Sequence, residues 1–166
     1  MTRREFIGMA SVGVVAIAIA GRFALTEMQP DAPAERFPVQ HSDAQWRSML
    51  SPASYAVLRG GGTERPFTSP LLNEHRPGVF ACAGCATAIF RSQTKYDSHT
   101  GWPSFWDVLP GSIARRDDRS LAMSRTEVRC ATCGGHLGHV FDDGPQPTGL
   151  RYCMNGVAMT FKPTQA

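Results

Sequence analysis

The chain has 166 residues, 42% of them apolar, and a formal net charge of +3, enough for one packed domain with an appendage. Setting aside Arg3, Arg4, Glu5 and Arg22 at its start leaves 14 basic and 13 acidic side chains. So balanced a remainder has no basic face, and nucleic acid is excluded as an expected partner.

Thr2-Arg3-Arg4-Glu5-Phe6-Ile7 carries the paired arginines of a twin-arginine export signal. The uncharged stretch from Phe6 to Gly21 is rich in Ala, Val and Ile, and at 16 residues it is shorter than the ~20 that span a bilayer as a helix. Ala18-Ile19-Ala20 offers a small-x-small cleavage site. Residues 1–25 are therefore expected to form an export signal, either cut after transport or kept as a membrane anchor. The remainder is expected to work outside the cytoplasm, in the periplasm, where thiols oxidise.

Residues 26–41, with Pro30, Pro33 and Pro38, read as an extended linker. Ser42-Asp43-Ala44-Gln45 is a capping-box pattern, predicting a short helix that turns Trp46, Met49 and Leu50 inward. Ser51-Pro52 restarts a helix, with Tyr55 and Leu58 facing the core and Gly60-Gly61-Gly62 stopping it. Beyond Gly62, short runs between turn residues predict strands over 79–82, 86–91, 112–115, 124–129, 137–141, 150–154 and 157–161. The expected fold is mainly β, one domain over 42–166 with two short helices in front.

The five cysteines divide by spacing. Cys82-Ala-Gly-Cys85 and Cys130-Ala-Thr-Cys133 are two CxxC pairs with 44 residues between them, and Cys153 stands alone. Two such pairs supply the four soft ligands of one tetrahedral zinc, and a site closed by four thiolates is structural. In an oxidising compartment two disulfides are the rival use, and a redox CxxC a third. A metal loaded before transport of the folded chain fits the twin-arginine route. With four sulfurs committed, Cys153 is the spare thiol. Arg151 lies two residues before it, on the same face if 150–154 is a strand, and its guanidinium favours the thiolate. His136 and His139 supply candidate proton donors, with buried core histidines or a Cys3His site as the alternative uses.

Several segments occur together and in order: Gly62-Thr63-Glu64-Arg65-Pro66-Phe67, Ser92-Gln93-Thr94-Lys95-Tyr96-Asp97-Ser98, Gly101-Trp102-Pro103-Ser104-Phe105, His136-Leu137-Gly138-His139-Val140-Phe141, Asp143-Gly144-Pro145 and Arg151-Tyr152-Cys153-Met154-Asn155. In these the chain resembles the B-type peptide-methionine (R)-S-oxide reductases, from about Trp46 to Phe161. The resemblance implies two antiparallel sheets, a zinc held by Cys82, Cys85, Cys130 and Cys133, and a monomer. It implies reduction of oxidised methionine, R epimer only, by Cys153 as nucleophile. It also implies His139 as the proton donor with His136 beside it, Asp143 fixing the polar site, Trp102 holding the substrate methyl, and Phe141 lining the pocket. Asn155 would share the Cys153 face, to bond the substrate oxygen or orient a partner.

Two departures stand out. Thr100 occupies the place where many members carry a second, resolving cysteine, so the Cys153 sulfenic acid is expected to be reduced directly by a thioredoxin-like protein or a small thiol. Asn155-Gly156-Val157-Ala158-Met159 replaces the usual Asn-Ser-Ala-Ser-Leu, losing two hydroxyls near the nucleophile. The competing readings are a non-catalytic zinc-knuckle binding module and a thiol-redox sensor built on Cys153.

Overall fold

In the computed structural model, residues 35–120 and 124–164 are described. The expected export signal lies outside them, as does the first part of the linker. Among the described residues no helix is long and apolar enough to cross a membrane.

Two helices lead, α1 (Asp43–Met49) and α2 (Pro52–Leu58). The capping box forms as predicted: Gln45 N–H donates to Ser42 Oγ, and the Gln45 side chain accepts from the Ser42 N–H at 2.8 Å. Ser51 caps α2, with Pro52 in its first turn where no amide is needed. Trp46 and Leu58 are buried, but Met49 is 55% exposed. A helix of only two turns buries one narrow stripe, and Trp46 with half-buried Leu50 fills it.

Among the described residues nine strands follow: β1 (Gly78–Cys82), β2 (Ala88–Arg91), β3 (Lys95–Tyr96), β4 (Ser104–Phe105), β5 (Ile113–Asp118), β6 (Arg125–Cys130), β7 (His136–Phe141), β8 (Arg151–Met154) and β9 (Met159–Pro163). They make two antiparallel sheets, β2-β1-β9 and β3-β4-β8-β7-β6-β5. The core between the sheets is aromatic. Phe90 stacks on Phe105 with centroids 4.1 Å apart, and Phe80 and Tyr152 meet the same pair edge-on.

Strand alternation then decides where chemistry sits. On β8, Tyr152 and Met154 point into the core, so Arg151 and Cys153 emerge on the outer face. On β4, Phe105 goes in and Ser104, paired with Cys153, takes the outer face.

Candidate active site

The outer face of the six-stranded sheet gathers most of the predicted residues. His139 stands directly across from Cys153, Phe141 from Arg151, and Glu127 from His139. A spacing of three should put His136 and His139 on opposite faces of a regular strand. A β-bulge resolves this. Gly138 pairs with Val128 and His136 with Arg129, so Leu137 is an extra residue and both histidines share the outer face. Their rings meet edge-to-face at 5.4 Å.

The bulge is built from specific residues. A Cβ on Gly138 would strike the Cys153 carbonyl, so only glycine lets β8 approach this closely. The carbonyl of Leu137 is satisfied by Asn155, through its backbone N–H at 2.8 Å and its side-chain amide at 3.1 Å. Asn155 Oδ1 accepts from the Glu64 N–H at 2.9 Å. Asn155 thus braces both the bulge and the Glu64 segment. Glu64 continues the framework. Its carboxylate accepts from the Gly156 and Val157 amides, and its carbonyl receives the Trp102 indole N–H at 3.1 Å. An added Cβ on Gly156 would collide with Ser69, so that departure has a packing reason; Ala158 is fully buried, and nothing in the structure explains its replacement of a serine.

A cleft of about 130 Å³ opens here, lined by Thr63, Trp102, Arg125, Gly138, His139, Phe141, Cys153 and Asn155. Trp102 is held by Gly101, whose φ of +91° and close approach to Pro66 exclude a side chain. One wall is the indole and the Phe141 ring; the other is the thiol, the imidazole and Arg125. The cleft therefore has an apolar side and a polar side around one nucleophile. His136 does not line it, but packs behind His139 with Nδ1 2.7 Å from Glu127 Oε1. Asp143 does not line it either. It grips Arg151 through two bonds of 2.8 and 2.7 Å, and the guanidinium lies 4.4 Å over the Phe141 ring.

Three residues outside the expected set build and back the polar wall: Arg125 lines the cleft, while Asp118 and Glu127 stand behind it. Asp118 Oδ2 lies 2.7 Å from His139 Nε2 and accepts from Arg125 Nη2 at 2.7 Å, while Glu127 holds His136. They come from the β5–β6 hairpin, where the run Arg115-Arg116-Asp117-Asp118 reads in sequence as a solvated edge. Burial pushes the His139 imidazole below its ordinary value, against the pull of Asp118. Asp118 itself is held well below the usual carboxylate range by Ser120, His139 and Arg125. Burial pushes the Cys153 thiol up, outweighing Thr100, Arg151 and Ser104, which draw it down. The expected effect of Arg151 is present, but desolvation is larger, and the resting side chain is a neutral thiol.

Away from the cleft, Cys82, Cys85, Cys130 and Cys133 place all four Sγ atoms within 4.8 Å of one another. Cys82–Cys133 is 3.7 Å and Cys85–Cys130 is 3.5 Å, with no disulfide among them. A tetrahedral ion with metal–sulfur bonds of ~2.3 Å needs sulfur–sulfur edges of about 3.8 Å, so the quartet fits a metal. It joins the β1–β2 turn of the small sheet to the β6–β7 turn of the large one. The clamp is therefore between the two sheets.

The family model of the SelR domain matches residues 50–163. The chain belongs to the SelR family, that of the B-type methionine sulfoxide reductases. The peptide methionine sulfoxide reductase MsrB of Agrobacterium fabrum is 54% identical over 126 residues, covering 75% of this chain and 93% of that protein. Those of Leifsonia xyli and Methanosarcina barkeri are 52% and 50% identical, covering 80% and 75% of this chain and 97% and 88% of theirs. Among solved structures, the Mis18 'Yippee-like' domain is 19% identical with a TM-score of 0.45, covering 55% of this chain and all of that one, too distant to bear on the site. The SelR match spans both the sulfur quartet and the cleft, so the four-sulfur clamp and the outer-face thiol belong to one SelR domain.

Proposed function

We propose that this chain reduces methionine-R-sulfoxide in peptides and proteins, with Cys153 as nucleophile. One observation carries the reading: the single cysteine outside the sulfur quartet opens into a cleft whose apolar wall is Trp102 and Phe141 and whose polar wall holds His139. The sulfoxide methyl lies against the indole while its oxygen faces the imidazole. Inverting the sulfur centre exchanges those two groups, so only one epimer satisfies both walls.

The Cys153 thiolate supplies an electron pair to the sulfoxide sulfur, and His139 delivers a proton as the S–O bond breaks. The protonated oxygen passes from the methionine sulfur to the Cys153 sulfur as the transient sulfur–sulfur bond breaks, so Cys153 becomes a sulfenic acid and methionine leaves with that bond's electron pair. Every other cysteine is in the quartet, so an external thiol attacks the sulfenic acid, releasing water and leaving a mixed disulfide. A second thiol equivalent frees Cys153. His136 backs His139, Asp143 fixes Arg151, and Asn155 fixes the bulge. Zinc in the quartet has no open position and is structural. The partners are thus oxidised methionine in polypeptides and a thioredoxin-like or small-thiol reductant. The Arg3-Arg4 signal supports an exported, periplasmic setting for this repair.

The test uses R and S sulfoxide peptides with dithiothreitol. Wild type is expected to reduce the R peptide alone, and Cys153→Ser is expected to reduce neither. Binding without turnover would instead mark a recognition module, and peroxide oxidation of Cys153 without turnover a sensor.

A further inference from the structure

A row of hydroxyls begins at Cys153. Thr100 Oγ1 lies 3.8 Å from Cys153 Sγ and 2.8 Å from Ser98 Oγ, and Ser98 Oγ lies 2.7 Å from Ser104 Oγ. Ser104 then donates to the Trp102 carbonyl at 3.2 Å. Ser104 is fully buried, with Thr100 and Ser98 half-buried beside it.

One proton per hydroxyl fixes the direction of this row. The proton of Ser104 is committed to the Trp102 carbonyl, so Ser104 accepts from Ser98 and Ser98 accepts from Thr100. Thr100 is left to accept from the Cys153 S–H. In that sense the row suits a neutral thiol. A thiolate has no proton to give. Rotating three O–H bonds reverses every link, so that Thr100 donates to sulfur, Ser98 to Thr100 and Ser104 to Ser98. Only the longest hydroxyl–oxygen bond, to the Trp102 carbonyl, is given up. The same framework therefore serves both ionisation states without moving a heavy atom.

We propose that Thr100, Ser98 and Ser104 form a reversible hydroxyl relay that accepts a hydrogen bond from the resting Cys153 thiol and returns one to its thiolate. This rests on reading Cys153 as the nucleophile. Thr100 touches the reacting sulfur and is a catalytic residue; Ser98 acts through it and is a positioning residue, and Ser104, opposite Cys153 on β4, anchors the far end of the row. No covalent bond changes within the hydroxyls, and the thiol proton leaves through the open cleft. A charge-assisted bond from Thr100 favours the thiolate, which is the form that attacks.

The experiment is the rate of Cys153 alkylation by iodoacetamide against pH, read by mass spectrometry of the Cys153 peptide from the metal-loaded full chain. Thr100→Val removes the hydroxyl and keeps the shape. Its alkylation midpoint is expected to rise by about one pH unit. Thr100→Ser restores the wild-type midpoint, and Ser98→Ala, which breaks the row one step from sulfur, raises it by less. A Thr100→Val midpoint equal to wild type, or an equal rise in Thr100→Ser, overturns the relay. Should Thr100→Val not fold, an unshifted Ser98→Ala midpoint overturns it alone. Alkylation needs no sulfoxide, so this result stands or falls separately from R-sulfoxide turnover by the wild type.

Discussion

His139 and Cys153 start from the wrong protonation states for the reaction. Burial lowers the imidazole, so it rests neutral, and raises the thiol, so it rests protonated. The productive pair, imidazolium and thiolate, is therefore a minor form across the neutral range. For such a pair, the profile of kcat/KM is a bell with its acid limb at the histidine and its alkaline limb at the cysteine. The height of its plateau falls as the two values move apart. Asp118 is the group that narrows the gap, because its carboxylate at 2.7 Å from Nε2 favours the imidazolium. Asp118→Asn is expected to move the acid limb to lower pH by about one unit and to lower the plateau about tenfold. A Cys153 alkylation profile measured alongside should keep its midpoint. If the Asn variant keeps the acid limb and plateau of wild type, Asp118 has no hold on the proton donor.

The β7 bulge is the element on which the site depends, and it shows what the sequence could and could not reveal. The strand over 137–141 and the pair of histidines on it are readable from the sequence, but their three-residue spacing has no answer in a regular strand. The answer is the pairing of Gly138 against Cys153 and Met154, a contact between segments 15 residues apart that no local pattern encodes. Strands β3 and β4 were also hidden: each is two residues long and sits among turn residues, so neither has room for an alternating pattern. Asp118, Glu127 and Arg125 were missed because charged residues on a hairpin look solvated until a neighbouring strand covers them. Gly138→Ala tests the bulge directly. Forcing a methyl into the Cys153 carbonyl should cost about 1–3 kcal/mol in urea unfolding and lower R-sulfoxide turnover further than stability alone explains. Gly61→Ala is the control: it sits at φ +67° with no atom near the added carbon, so it should lose stability through backbone strain alone and keep turnover.

At the scale of the whole molecule, the sulfur quartet is where three layers meet. The β1–β2 turn brings Cys82 and Cys85, the β6–β7 turn brings Cys130 and Cys133, and the helices close over both. A Cβ added at Gly84 in the first turn would lie 3.5 Å from Trp46 and 3.6 Å from Leu58, Leu58 also covers Gly135, and Arg59 donates to the Cys133 carbonyl at 3.0 Å. Residues 35–41, read as linker, are extended as expected but docked: Val39 N–H bonds the Thr132 carbonyl at 2.8 Å, and Phe37 covers Gly134 beneath the Arg129 guanidinium. Nothing in their composition announced this, because the contacts are with residues of the second knuckle about 90 positions further along the chain. The quartet thus fastens both sheets, the helices and the entering chain, while the outer-face cleft draws on none of its sulfurs. That separation has a measurable consequence. Wild type and Cys153→Ser should each carry one zinc per chain and unfold at closely similar temperatures. Cys130→Ser should carry none and lose several kcal/mol, a large part of the net stability of a domain this size. Its loss of turnover should then follow from unfolding, with the thermal midpoint falling in step with metal content across partly loaded samples. A Cys130→Ser chain that keeps one zinc and the wild-type midpoint would show that the four sulfurs do not act as one clamp.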